Sequence, residues 1–415
     1  MKFKALILSI CLVLLNPTPL FASGWFSGRS VGMAQAYTSI SRGVESAFWN
    51  PANLGFSKTS EKNITLFSVG VNASNNALNL EQYHKYNGAH LTSEDKQTIL
   101  DLIPAKGFDL TMNADVLALG VSWYNFAFTI SGRGISNLIL PKDEVQILFF
   151  GNEINDTILL SGSDGVAFTS IEYGLSYGRS IWKKDNQEVL GGMNVRYIQG
   201  LIYQKVKEAN GEVFALETGV NGDGNFVAQS AEGGKGYGLD FGLALKYDKN
   251  WSFGLSFLNL INQIKWNKKT EIRGYQVKID SLLAENFDLD SMVTDRSYTE
   301  SIHPFTTRMP ISAQAGLAYQ LKRTLLAFDL KGDLSSGMGM GKKYSASFGV
   351  EYSCLSWLDV RGGMSLGKDD GIVVASGLGF KLGVYNLDVG IANQKGVWLT
   401  KSKGFCLAIS NGFHF

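Results

Sequence analysis

Few side chains in this 415-residue chain are spaced for chemistry. Its histidines, His84, His90, His303 and His414, have no second His or Cys at metal-ligand spacing, so no metal site is expected. Asn221-Gly222-Asp223-Gly224-Asn225 has the start of a calcium loop but lacks the acidic residue that closes one, and a turn is the better reading. Gly337 to Gly341 (GMGMG) is followed by no Lys-Ser/Thr pair, which makes it a flexible tip rather than a phosphate cradle. No G-x-S-x-G elbow is present. Neither enzyme activity nor a cofactor is expected. With 38 Lys+Arg against 37 Asp+Glu, nothing in the charge balance calls for a nucleic-acid partner.

The charges that do stand out share a position rather than a motif. Glu172, Arg196, Asp240, Lys246, Asp329, Lys331, Glu351, Asp359, Arg361, Lys381 and Asp388 all fall on the polar phase of stretches that alternate with period two. Charges directed into an enclosed space must be hydrated, or paired with each other or with something inside. Their mixed sign suits salt bridges around a plug, with the wall of a water-filled channel as the other reading.

Strands must position them, because alternation is the dominant signal from Asp109 onward. Leu239, Phe241, Leu243 and Leu245 oppose Gly238, Asp240, Gly242 and Ala244, and the same splitting recurs in 326–331, 348–353, 358–366 and 385–392. Short links, such as Tyr124-Asn125, Lys322-Arg323 and Gly383-Val384, take strict turns with long polar ones: 75–108, 135–164, 200–234, 267–308, 335–342, 368–371 and 395–403. A soluble sandwich also alternates, but this rhythm of connections marks a transmembrane up-and-down antiparallel β-barrel in an outer membrane, with about 14 strands and both termini periplasmic. The chain ends on Phe415, in phase with Phe405, Leu407, Ile409 and Phe413, an aromatic end suited to a lipid interface and similar to the terminal signal read by barrel assembly machinery. Val116 to Gly132 is nearly long enough for a membrane helix, yet Tyr124-Asn125 interrupts it and β-formers fill both halves, so a hairpin is expected. Helical turns are expected at 93–103 and 141–150 within long connections.

The N-terminus differs from all of this. Residues 1–22 have a basic start, an apolar run and a small-residue end, the pattern of a secretory signal peptide. Residues 23–60 then carry a run of small residues (Gly32, Ala34, Ala36, Ser39, Ser41, Gly43) followed by Phe48-Trp49-Asn50-Pro51-Ala52, before a barrel over 61–415. Gly32-Met33-Ala34-Gln35-Ala36 and Glu45 to Leu54 resemble the N-terminal hatch of the long-chain fatty acid transporter family of outer-membrane barrels, and that of related barrels of the type IX secretion system. The resemblance implies a 14-stranded barrel whose lumen is closed by this segment, with Phe48, Trp49, Asn50, Pro51 and Ala52 as gating positions. In the transporter branch an apolar ligand enters from outside, meets the hatch and leaves sideways through the wall. Uptake of a hydrophobic small molecule such as a fatty acid is therefore the leading expectation. The alternative is a docking or secretion-associated barrel that binds secreted or surface proteins; in either case outer-membrane lipid is the surroundings.

Overall fold

Alternating strands bury one face and leave the other free, and short links between them force neighbours to pair. In the computed structural model, which describes residues 25–56, 61–151, 157–216, 219–282, 293–338, 342–367 and 371–415, fourteen antiparallel strands close into a barrel. They are β1 (Lys62–Asn75), β2 (Phe108–Trp123), β3 (Phe126–Leu140), β5 (Asp164–Lys184), β6 (Gln187–Leu216), β7 (Gly219–Lys246) and β8 (Trp251–Trp266) in the first half. In the second half come β12 (Ser312–Leu321), β13 (Thr324–Asp333), β14 (Tyr344–Leu355), β15 (Leu358–Gly367), β16 (Gly371–Leu382), β17 (Tyr385–Gln394) and β18 (Gly404–His414). Closure runs from Asn63 opposite His414 to Ser74 opposite Gly404. The expected leader over 1–22 lies outside the described residues, as do 23, 24 and 57–60 of the expected hatch.

The tight links are made as two-residue hairpins require, with left-handed backbone at Tyr124, Asp185, Lys322 and Gly383. Trp123, Phe126, Trp182, Tyr247, Trp357 and Phe415 stand exposed around the rim that carries these turns. Above them the outward phase is apolar, with Leu175, Val195, Leu330 and Leu366 each at least half exposed. An aromatic girdle beside an apolar band is the surface of a barrel that sits in lipid. Among the described residues no helix is long and apolar enough to cross a membrane.

Two of the expected loops are strands. In their described parts the connections at 200–234 and 267–308 continue the wall: β6 has 30 residues and β7 has 28, whereas about 9–11 suffice to cross a bilayer. Both therefore project beyond the rim. There β4 (Thr157–Leu159) pairs with β6, β9 (Glu271–Leu282) pairs with β7, and β10 (Val293–Ser301) pairs with β9. The expected turn at Asn221–Asn225 is thus mid-strand, with Asn225 opposite Asn210 on one side and Gln276 on the other. The polar residues there marked a partly solvated strand, one face of which still buries Val213 against Ile147 and Ile158, and not irregular backbone, since ladder bonds satisfy the main chain wherever it lies.

Helices at Ser93–Leu102 and Lys142–Phe150 form where expected, the first behind Thr92 and the second behind Pro141, and Lys96 Nζ donates to the Phe149 carbonyl at 2.9 Å. A third, Leu80–Tyr86, was not foreseen, although Asn79 and Gln82 carry the spacing of the reciprocal cap they form.

Candidate functional site

Small residues and turn formers let residues 25–56 fold into a compact body of short helical turns inside the barrel, almost wholly buried. Ser27 and Ser30 cap each other's backbone at the start of Gly28–Gly32. Asn50 sits before Pro51 with extended backbone (φ −155°, ψ 101°), as a residue preceding proline prefers. Its Nδ2 donates to the Leu243 carbonyl of β7 at 2.9 Å and its Oδ1 accepts from Ala52 N at 3.1 Å, so one side chain both shapes the turn and ties it to the wall. Phe48 stacks on Trp25 with ring centroids 3.8 Å apart. Trp49 is fully buried, edge-on to Tyr37, with the Lys331 ammonium 3.9 Å above its ring and its carbonyl accepting from Ser256 Oγ. Of the five expected gating positions, Trp49 and Asn50 thus touch the barrel wall through side chain or carbonyl, and Phe48 packs within the plug.

Glycine makes the fit possible. A Cβ on Gly242 would lie 2.0 Å from Asn50 Oδ1, one on Gly192 2.4 Å from Ala52 N, and one on Gly390 2.3 Å from the Gly28 carbonyl. Strand glycines are in these places the seats on which the plug rests.

Most of the expected lumen charges gather into buried networks. Arg29 of the plug makes a two-pronged pair with Glu351 at 2.8 Å for each prong; Glu351 also takes Arg361 at 2.6 Å, and Arg361 reaches Asp388 at 2.6 Å and Asp359 at 3.6 Å. Lys381, half exposed, pairs with Asp359 at 2.7 Å. Across the lumen Arg196 bridges Glu172 at 2.5 Å and Asp240 at 2.9 Å, and Asn194 links Asp240 to the Ala47 carbonyl of the plug. Asp329 accepts both Tyr37 N (2.9 Å) and Thr38 N (2.7 Å). Pairing around a plug is therefore the arrangement found for these groups, rather than a hydrated channel lining. Lys246, at the end of β7, is exposed and joins none of these networks. Asp115, which the sequence reading passed over, accepts Phe26 N and pairs with Arg133.

The wall is not uniformly laddered. β11 (Phe305–Thr307) pairs with β8 at Ile264–Trp266 and β12 resumes at Leu258, leaving 308–311 facing 259–263 without ladder bonds. Pro310 supplies the reason, having no N–H to donate. Side chains replace the ladder: Asn262 bonds both Met309 N (2.6 Å) and Met309 O (3.1 Å), and Asn259 Nδ2 donates to the Pro310 carbonyl at 3.0 Å. Asn259 carries left-handed backbone and also bonds Arg196. The sequence reading missed this seam, although adjacent Leu260-Ile261 between Asn259 and Asn262 breaks the alternation as a bulge does.

Above the plug the interior turns apolar. Phe168, Ile198, Tyr203, Ile264, Trp266 and Met309 belong to one buried cluster, and Met338, within the expected flexible tip, packs there too. Beside it a cavity of about 90 Å³ separates the plug from β1, β2 and β12–β18. Among the described residues no group of three His, Cys, Asp or Glu is placed to hold a metal ion.

A family model described as "Family of unknown function (DUF5723)" matches residues 51–229 and 214–391. No curated protein matches the chain. Among solved structures, the toluene transporter TodX of Pseudomonas putida aligns with a TM-score of 0.56 at 13% identity, over 94% of this chain and 99% of that one. A FadL homologue of Pseudomonas aeruginosa gives 0.54 at 12%, over 95% and 99%. The toluene transporter TbuX of Ralstonia pickettii gives 0.51 at 13%, over 94% and 98%. At such identities the likeness is one of fold.

Proposed function

The chain belongs to the family of unknown function DUF5723, and on that footing we propose that it is an outer-membrane barrel for passive uptake of small hydrophobic molecules, gated by residues 25–56. One observation carries the reading. Barrels that conduct water line their lumen with polar groups, whereas here Phe168, Tyr203, Ile264, Trp266 and Met309 occupy it above the plug. The toluene transporters that share the fold lend it weight, and a fatty acid is a second candidate ligand.

The route runs from the rim of long connections, on the outside, into the cavity above the plug, and out sideways at 308–311. The termini then lie on the periplasmic side, and Phe415 serves recognition by barrel assembly machinery. A cavity of about 90 Å³ is smaller than the roughly 150 Å³ that holds benzene in an engineered core. Passage therefore requires the plug or the 308–311 segment to move.

The test is uptake of radiolabelled oleate and toluene by Gram-negative cells that lack their own hydrophobic channels and express this protein. Accelerated entry of at least one is expected; correctly inserted barrel with no gain for either removes the proposal. A docking barrel is the second reading, favoured by the sheet that β6, β7, β9 and β10 build beyond the rim. Cross-linked membranes should then yield a stoichiometric protein partner that depends on that sheet.

A further inference from the structure

One side of the cavity above the plug is lined by amides. Strand register sets Cys406 of β18 opposite Asn72 of β1, Asn72 opposite Asn113 of β2, and Asn113 opposite Ile135 of β3. Gln394 of β17 is opposite Val373 of β16. Asn72, Asn113 and Gln394 are 6%, 5% and 5% exposed, and with Gln35 of the plug they line the same cavity. All four carbonyl oxygens, Asn72 Oδ1, Asn113 Oδ1, Gln394 Oε1 and Gln35 Oε1, are buried and accept no hydrogen bond among the described residues.

Native interiors leave few buried polar atoms unmatched, because each forfeits the hydrogen bond it had with water. Several carboxamides in this barrel obey the rule: Asn50, Asn194, Asn259 and Asn262 each use both ends of the side chain. Of the seven buried carboxamide oxygens left unmatched among the described residues, those of Asn53, Asn225 and Asn411 lie elsewhere and the other four surround this one cavity, which singles it out. Directly paired residues on adjacent strands hold their Cβ atoms about 4.5–5.5 Å apart, so Asn72 and Asn113 can share one small group. A carboxamide offers two donors and one acceptor without charge. The charged part of the lining, Lys331, Asp333 and Lys343, lies on β13 and the approach to β14, where Asp333 is already bonded to Ser312 Oγ and Lys343 N. Phe26, Val31 and Ala34 of the plug supply apolar surface beside the amides.

We propose that this cavity, once widened by the same movement of the plug or of 308–311 that passage requires, binds a neutral amphiphile, an apolar body bearing an uncharged hydroxyl, carbonyl or amide that Asn72, Asn113, Gln394 and Gln35 hold by hydrogen bonds. The inference rests on the uptake reading and narrows its ligand: a plain hydrocarbon leaves the amides unmatched, and a carboxylate brings a charge that they do not neutralise. A site built to hydrogen-bond its ligand rejects the analogue that lacks the group.

The experiment uses the purified full chain in lipid nanodiscs and four one-ring probes: toluene, benzyl alcohol, benzamide and benzoate. Dissociation constants from saturation-transfer NMR are corrected with empty nanodiscs. Benzyl alcohol and benzamide should bind about tenfold more tightly than toluene and benzoate, the effect of roughly one well-formed hydrogen bond. The double variant N72L/N113L should lose that preference while retaining heat-modifiable mobility on a gel. If the variant does not fold, the ranking on the wild-type chain decides alone. Toluene or benzoate binding as tightly as benzyl alcohol overturns the inference and leaves the uptake proposal standing. Absence of binding by all four, with cellular uptake intact, also overturns the inference; absence of both removes the two together.

Discussion

At the scale of single residues, the plug is held by contacts whose loss should be unequal. Glu351 serves two guanidiniums, while Arg29 has Glu351 as its ion-pair partner and Arg361 has Asp388 and Asp359 besides. Glu351→Gln therefore strands the Arg29 cation inside the barrel. Breaking a buried pair from one side costs about 3–5 kcal/mol; because the Arg29 side chain keeps 25% of its surface exposed, the lower end or less is expected. Arg29→Met leaves Glu351 still paired and should cost less. Single-channel recording in planar bilayers can rank them, and Arg29→Met opening the lumen more often than Glu351→Gln would count against the assignment. Close approach gives a second contrast. Gly242→Val forces a side chain into Asn50, whereas a Cβ at Gly362 meets nothing nearer than 3.9 Å. The first should raise conductance with the barrel still folded, and Gly362→Ala should not.

Among elements, the seam between β8 and β12 is a weak part of the wall, since two carboxamides stand in for a run of ladder bonds. Asn262→Leu leaves Met309 N and O unmatched, at about 1–3 kcal/mol for each group that stays buried. Hydrogen exchange over 308–311 should accelerate by at least tenfold while β12 and β13 keep their protection; uniform change across the barrel would point to global destabilisation instead. The helix Lys142–Phe150 offers a pH test outside the wall. Burial, the largest influence, pushes the Glu144 carboxyl above its ordinary range, opposed by the hydrogen bond from Ser163 and reinforced by Asp143. A carboxyl raised in the folded state stabilises docking fully below the ordinary glutamate range, and this contribution is lost as pH rises through the shifted value. Glu144→Gln should therefore hold the helix more firmly at neutral pH. Slower trypsin cleavage at Lys142 is the expected result, and faster cleavage contradicts it.

For the whole molecule, a closed barrel with backbone pairing between β1 and β18 should resist detergent until boiled, giving two mobilities on a denaturing gel; one mobility would be incompatible with this wall. Replacing residues 207–228 by a short turn tests what the projecting sheet is for, because the barrel below Lys205 and Gln229 keeps its pairing. Under the uptake reading insertion and ligand entry persist. Under the docking reading insertion persists and partner capture disappears.

Much of this architecture was legible in the sequence. Alternation, two-residue turns and the terminal aromatic fixed a barrel of about the observed strand number, and the resemblance of Asn50-Pro51-Ala52 and the small-residue run before it to a known hatch marked the plug. Both are local properties: period two decides which face a side chain takes, and proline decides where the backbone must turn. Polarity misled at 200–234 and 267–308, because the many solvated side chains of a projecting sheet look like a loop when only residue types are read. The strand glycines, the bonds of Asn259 and Asn262 to 308–311, and the amides around the cavity lie beyond any such reading. Each depends on which residues a distant segment meets across the lumen, and strand register and closure, not local spacing, set that meeting.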